Sequence, residues 1–339
     1  MAPPKSAQEL SIGDEPTPRY IVQQSSFGPM DSSPPLTLIP TIYISLLFSS
    51  SSPSSIQELQ KLNSWGCFQA IDHGISDSYL DRVRGITKQL YALPIEEKKK
   101  YSRANDEAEG WGGDLIVSRK QVIDWSDRLT LKILPEDERR LNLWPQGPTD
   151  FREILNDYAM KMKSILDLLI KAIAKSLDLE DNCLLNQFGD WAVLSARINF
   201  YPPCPRPDQV LGLKTRSDRS GMTVLLQDKD VEGLQVLKDD QWFKVPIIPY
   251  ALFINVGDQM QIMSNGIIKS PVHRAVTNPE KQRISVAVAT KPEEEREIGP
   301  ADGLIDEKRP RLYRNVKNYA AINFECFQKG NVAIDTVKI

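Results

Sequence analysis

Apolar and polar positions divide the chain into two differently patterned halves. In the first half the apolar residues recur at helical spacing. Leu80, Val83, Ile86 and Leu90 line one side of a helix predicted over residues 77–93, because side chains three and four apart share a helix face. Ile154, Tyr158, Ile165, Leu169 and Ile173 mark the core side of a longer helix that opens at Asp150 and Glu153 and ends near Leu179. Between the two, Leu129, Leu131 and Ile133 alternate with Arg128, Thr130 and Lys132. That period of two predicts a strand with one buried and one half-exposed face. Ile39–Ser45 and Cys67–Ile71 also read as strands, and the serine-rich run Ser49–Ser55 as a loop. Ser55 with Glu58 forms a capping-box pattern that opens a short helix to about Ser64.

After Ser195 short β-rich runs alternate with turn residues: SARINFY, MTVLLQD, GLQVL, WFKV, LFINV and RISVAVAT. This rhythm predicts an antiparallel sandwich or barrel. A last helix is expected from Leu312 to about Phe327, packed on the outside. The fold class is therefore mixed α/β (α+β), with a helical first half supporting a β core. The expected divisions are an arm over 1–35, a helical region over 36–190, the β core over 191–295 and a helical segment over 296–339.

The chain has 339 residues, 41% hydrophobic and 26% charged, an ordinary globular composition. Lys plus Arg number 42 against 45 Asp plus Glu. A nearly neutral chain lacks the dense basic footprint of a nucleic acid binder. Cys67, Cys183, Cys204 and Cys326 lie far apart with no C-x-x-C pair, which reads as reduced thiols. The N-terminus MAPPKSAQEL has no apolar signal region, and the apolar run Leu36–Phe48 covers thirteen residues broken by Pro40. A membrane helix needs roughly 20. A cytoplasmic monomer or weak dimer is expected, with no membrane and no nucleic acid partner. Lys98 to Lys100 read as a solvated helix face.

Only two histidines are present, His73 and His273. Four segments stand out around the predicted strands: RINFYPPCP from Arg197, LGLKTRSDRSGMT from Leu211, SPVHRAVTN from Ser270 and QRISVAV from Gln282. Together with WGCFQAIDHGI and VEGLQVLKDDQWFKVPIIP, they closely resemble the plant 2-oxoglutarate- and iron(II)-dependent dioxygenases of specialised metabolism. The likeness runs from about residue 17 to the C-terminus. It implies a double-stranded β-helix, or jelly roll, core with flanking helices. It also implies Fe(II) and 2-oxoglutarate as cofactors, with iron held by two histidines and a carboxylate. In that pattern the first His and the carboxylate form an H-x-D segment on one strand, both side chains aimed into the barrel. An R-x-S pair then grips the far carboxylate of 2-oxoglutarate.

Carried over residue by residue, Asp218 matches the carboxylate and His273 the second histidine. Arg283 and Ser285 match the clamp, and Tyr201 and Asn199 the co-substrate neighbours. The first histidine is missing, since the chain reads Leu213–Lys214–Thr215–Arg216–Ser217–Asp218. A guanidinium offers no lone pair and stays protonated. One charge pair at about 4 Å is worth about 4 kcal/mol at an effective dielectric of ~20, and a dication doubles it, so Arg216 opposes iron by roughly 8 kcal/mol. His73, in the DHG turn, is expected to be structural.

The resulting expectation is a residual metal site of Asp218 and His273 with iron binding weakened or lost. Arg216 is expected to pair with Asp218, and with Arg283 to make the cavity electropositive, suited to an anionic or phenolic small molecule. Arg216, Asp218, His273 and Tyr201 are the expected catalytic groups. The implied function is a divergent family member that carries out cyclisation, isomerisation or condensation of a small plant metabolite without metal. Two alternatives stand beside it: an active hydroxylase or demethylase with a weakened iron site, and an inactive ligand-binding relative. Tyr43 and Tyr250 also depart from the residues the resemblance leads one to expect. Trp111, Trp125 and Phe253 fit either a substrate mouth or core packing.

Overall fold

The structure, a computed structural model, describes residues 5–13, 15–22, 34–36, 39–48, 59–60, 62–104, 107–114, 116, 121–329 and 332–339. Among these residues twelve strands form two facing sheets. The first-half strands are β1 (Thr41–Tyr43), β2 (Cys67–Ile71), β3 (Gly110–Gly112) and β4 (Asp127–Leu134). β5 (Val193–Tyr201), β6 (Leu211–Arg216), β7 (Met222–Leu226) and β8 (Leu234–Lys238) follow. β9 (Gln241–Lys244), β10 (Leu252–Val256), β11 (His273–Val276) and β12 (Arg283–Lys291) complete the set. The larger sheet has the order β1-β2-β10-β7-β12-β5-β4-β3, and the smaller β6-β11-β8-β9. Apart from the parallel pair β1–β2, neighbouring strands are antiparallel. This is the double-stranded β-helix with mixed α and β content that the sequence implied.

The outer face of the larger sheet is apolar. Leu129, Ile198, Val286 and Leu226 form one cross-strand row, and Leu131, Ala196, Val288 and Val224 the next. All are buried in one cluster with Leu80, Val83 and Leu90 of the Asp77–Ala92 helix and with Ile154, Tyr158 and Ile165 of the Phe151–Ser176 helix. Helices therefore cover one side of the sheet, and the second sheet faces the other. Both long helices begin within a residue of the predicted start, while the longer one stops at Ser176, three residues short of Leu179. Asp150 sits at φ 66° and gives no side-chain cap.

Several expectations require correction. The first half is not simply helical, because β1 to β4 supply half of the larger sheet. The polar face of β4 is half-exposed at Thr130 and Lys132 as expected, but Arg128 on the same face is buried. Lys98 is not solvated either. It is 2% exposed, and its Nζ donates to Gln8 Oε1 (2.6 Å) and to the Tyr91 carbonyl (2.7 Å). The one-turn helix Ala7–Leu10 carries Gln8, and its backbone N–H groups at Ala7 and Gln8 donate to the buried Asp127 carboxylate. The last helix begins at Tyr319, not Leu312, because Tyr313 and Val316 bridge to Lys338 and Ile298. The serine-rich loop and the Ser55–Glu58 capping box lie outside the described residues.

The four cysteines are free thiols, and burial pushes Cys67 up to about 12. No helix among the described residues is long and apolar enough to cross a membrane.

Candidate active site

The site lies between the sheets, and strand register assembles it. On the inner face of the larger sheet Arg128, Asn199 and Ser285 form one row, and Thr130, Arg197 and Ala287 the next. Arg283 lies opposite Tyr201 at the end of the same pair of strands. Its guanidinium carbon sits 5.2 Å from the Tyr201 ring centre. Asn199 Nδ2 donates to Ser285 Oγ at 3.3 Å and Asn199 Oδ1 accepts from Arg197 Nε at 2.8 Å. The predicted co-substrate residues Asn199, Tyr201, Arg283 and Ser285 are thus brought together. Gly233 makes room for them: a Cβ there would lie 2.9 Å from Arg283 Cδ. The other part of the inner face is apolar, with Cys67, Leu225, Leu234, Val236 and Phe253 buried in one cluster. Phe253 therefore belongs to the interior wall. Trp111 packs in the main core and Trp125 edge-on against Tyr20.

The smaller sheet supplies the opposite wall. Its register sets Arg216 on β6 directly opposite His273 on β11. β6 ends at Arg216, so Asp218 sits in the loop beyond it, not on the same strand. That loop is fixed by its backbone: the Asp218 carbonyl accepts from Asp258 N at 2.8 Å, and Gly257 N donates to the Gly221 carbonyl at 2.8 Å. The approach is close enough that a Cβ on Gly257 would lie 1.9 Å from the Ser220 carbonyl oxygen. Asp218 Oδ1 comes within 3.6 Å of His273 Nε2, while His273 Nδ1 lies 3.1 Å from the Pro271 carbonyl. A proton on Nδ1, donated to that carbonyl, leaves the Nε2 lone pair facing Asp218.

Arg216 does not pair with Asp218 as expected. Its Nη2 lies 3.7 Å from Asp124 Oδ2, in a buried charge cluster that sequence reasoning missed. Arg128 reaches Asp114 at 2.7 Å and Asp124 at 3.3 Å, and Lys214 Nζ pairs with both carboxylates. Asp124 also accepts from the Lys214 backbone N–H at 2.8 Å. It is the more completely buried carboxylate, so Arg216 turns toward it rather than toward half-buried Asp218. Burial alone would raise the Asp114 carboxyl, but Arg128, Lys214 and Arg216 hold it well below the usual carboxylate range. Arg197 has no carboxylate partner among the described residues. Burial, then the guanidinium groups of Arg128 and Arg216, push it down to about 9. A guanidinium does not give up its proton in that range, so the shift marks an uncompensated positive charge. The signal for these residues in the sequence was the charged side chain inside an apolar strand, at Arg128 and at Arg197.

The donor set does not fit a three-ligand iron site. His273 and Asp218 converge, Arg216 lies opposite His273, and no group of three His, Cys, Asp or Glu side chains among the described residues can hold a metal ion. His73 is structural: Nε2 lies 2.9 Å from the Tyr250 carbonyl, and Nδ1 accepts from Ile75 N. Tyr43 is exposed, and Tyr250 donates to Asp81 on the outer helix.

Comparison with known proteins matches this architecture. The 2OG-Fe(II) oxygenase superfamily matches residues 181–292, and the N-terminal region of non-haem dioxygenases in morphine synthesis matches residues 39–147. The chain is 37% identical to Protein SRG1 of Arabidopsis thaliana, over 95% of this chain and 92% of that protein. It is 38% identical to codeine O-demethylase of Papaver somniferum, over 81% and 78% respectively. A solved structure of JOX2 in complex with 2OG, Fe and JA superposes with a TM-score of 0.90 at 30% identity, covering 99% of this chain and 98% of that one.

Proposed function

The chain belongs to the 2OG-Fe(II) oxygenase superfamily, and on that premise we propose that it acts on a small plant metabolite by acid–base chemistry that needs no metal. The observation that carries this reading is the register of Arg216 opposite His273. It leaves two ligating side chains and a fixed positive charge where the family's third ligand belongs. The relatives' names support a small-molecule substrate: one is a codeine O-demethylase, and the solved JOX2 structure is a complex with JA. The interior favours a substrate with an apolar body and an anionic or phenolic group. Phe253, Leu225 and Val236 offer apolar surface, while Arg197, Arg216 and Arg283 offer positive charge.

In this reading His273 Nε2 takes or returns the proton, and Asp218 at 3.6 Å stabilises the imidazolium while it exists. The Pro271 carbonyl holds the other ring nitrogen. A substrate phenolate or enolate that forms on proton removal is held by the neighbouring guanidinium groups, which strengthen their grip as negative charge develops. Isomerisation, cyclisation or condensation of such a metabolite fits these roles.

One observation favours a second reading, an oxygenase with a weakened iron site. Arg216 leans toward Asp124, so its charge is partly neutralised and drawn away from the Asp218–His273 pair. One experiment separates the readings. The purified protein is assayed for iron, for succinate release from 2-oxoglutarate, and for conversion of phenolic and carboxylate plant metabolites before and after chelation. Conversion that survives chelation, without succinate, supports the proposal; iron-dependent succinate release supports the second reading and sinks the first.

A further inference from the structure

Among the described residues the cationic side chains Arg128, Arg197, Lys214, Arg216, Arg219 and Arg283 share the barrel interior with the carboxylates Asp114, Asp124 and Asp218. Arg128 and Lys214 consume both Asp114 and Asp124, leaving Arg216 a long contact of 3.7 Å. Within this interior the guanidinium nitrogens Arg197 Nη2, Arg216 Nε and Arg283 Nε are buried with no hydrogen-bond partner among the described residues. Arg283 is 3% exposed. Buried donors of this kind are normally satisfied, and a carboxylate matches the guanidinium fork with two parallel hydrogen bonds.

The spacing of these donors is set by strand register. Arg283 pairs with Tyr201, and Arg197 pairs with Ala287 four residues further along β12. Four residues of strand span about 13 Å between the two arginine Cα positions. Arg197 leans back along this interval to bond Asn199, which bonds Ser285. The two guanidinium groups therefore bracket the Asn199–Ser285 pair, and Arg216 enters from the facing sheet.

We propose that Arg197 and Arg216 form a carboxylate subsite that takes over the electrostatic task of the missing cation, so that the pocket binds a short dicarboxylate between this subsite and Arg283 with no metal present. This rests on the metal-free reading above and names its ligand class. In the family pattern one end of the co-substrate is held by iron; here two fixed guanidinium groups replace that anchor. A dianion set between Arg197, Arg216 and Arg283 would relieve the repulsion between the first two, so ligand and fold stabilise one another.

The test uses the full chain after exhaustive chelation, with iron content measured on the same sample. Succinate and 2-oxoglutarate are titrated calorimetrically in a chloride buffer, with acetate and sulfate as controls. Saturable binding of both dicarboxylates in chelator is expected, at least ten-fold tighter than acetate or sulfate and unchanged by added ferrous salt. Arg197→Gln and Arg216→Gln should each weaken dicarboxylate binding at least ten-fold while the ligand-free thermal midpoint holds or rises, since each removes repulsion. A merely structural role would lower that midpoint instead. Binding that appears only with iron, equal binding of sulfate and acetate, or dicarboxylate binding indifferent to both substitutions would overturn the proposal. Iron found in the unchelated sample would count against the metal-free chemistry alone, since the chelated titration reports the subsite independently.

Discussion

Arg216 and His273 face one another across β6 and β11, paired residue to residue in the antiparallel register. That register sets a guanidinium beside an imidazole. The backbone scaffold of the site is complete, with the Asp218 loop latched to Asp258 and the Asn199–Ser285 contact formed. Arg216 stands where the resemblance leads one to expect a histidine.

If that single position limits metal binding, Arg216→His should restore it. The variant is expected to bind ferrous iron stoichiometrically under anaerobic conditions, where the parent chain binds little. Metal analysis and the charge-transfer absorption of the iron–keto acid complex check this. A variant as iron-poor as the parent would mean that the pocket has been remodelled beyond residue 216.

Asp124 holds Arg128, Lys214 and Arg216 at once with no exposure to solvent. Asp124→Asn should leave these cations undercompensated in a buried site and cost about 3–5 kcal/mol. Urea denaturation of the parent and the variant measures it, and a loss under about 1 kcal/mol would show that the cluster relaxes into solvent.

Lys291, on the inner face at the end of β12, is pushed down to about 8 by burial first and by Arg219 next. Between pH 8 and the ordinary lysine value of 10.5 the unfolded chain holds a proton there that the folded chain has released. Stability attributable to this group therefore rises with pH across that window, and below it the buried charge is a standing cost. Lys291→Met should raise the thermal midpoint at pH 7 and flatten the rise between pH 8 and 10. A midpoint that falls at pH 7 would contradict this.

Gly257 passes so close to Ser220 that any side chain meets a backbone oxygen. Gly257→Ala should cost about 3 kcal/mol by overpacking, and by shifting the Asp218 loop it should lower activity beyond what the stability loss explains. Denaturation and steady-state kinetics on the same preparation separate the two effects.

Much of this protein was legible in its residues alone. The alternation in DRLTLKIL gave β4, the spacing of Leu80, Val83, Ile86 and Leu90 gave the helix from Asp77, and the segments around Asp218, His273 and Arg283 pointed to one site. These features are legible because side-chain periodicity and turn chemistry are local and survive in the linear order. What lay beyond reach was the burial of Arg128, where Lys98 ended, and which carboxylate Arg216 would choose.

Each of those depends on groups brought together from distant parts of the chain: Gln8 meets Lys98 across 90 residues, and Asp124 meets Lys214 across 90 more. The sequence by itself determined the main elements and the jelly-roll class. Only the tertiary structure decided the charge partners, because the energy of a buried ion depends on its distance to every other charge and on its distance from water, and neither is written in the order of the residues.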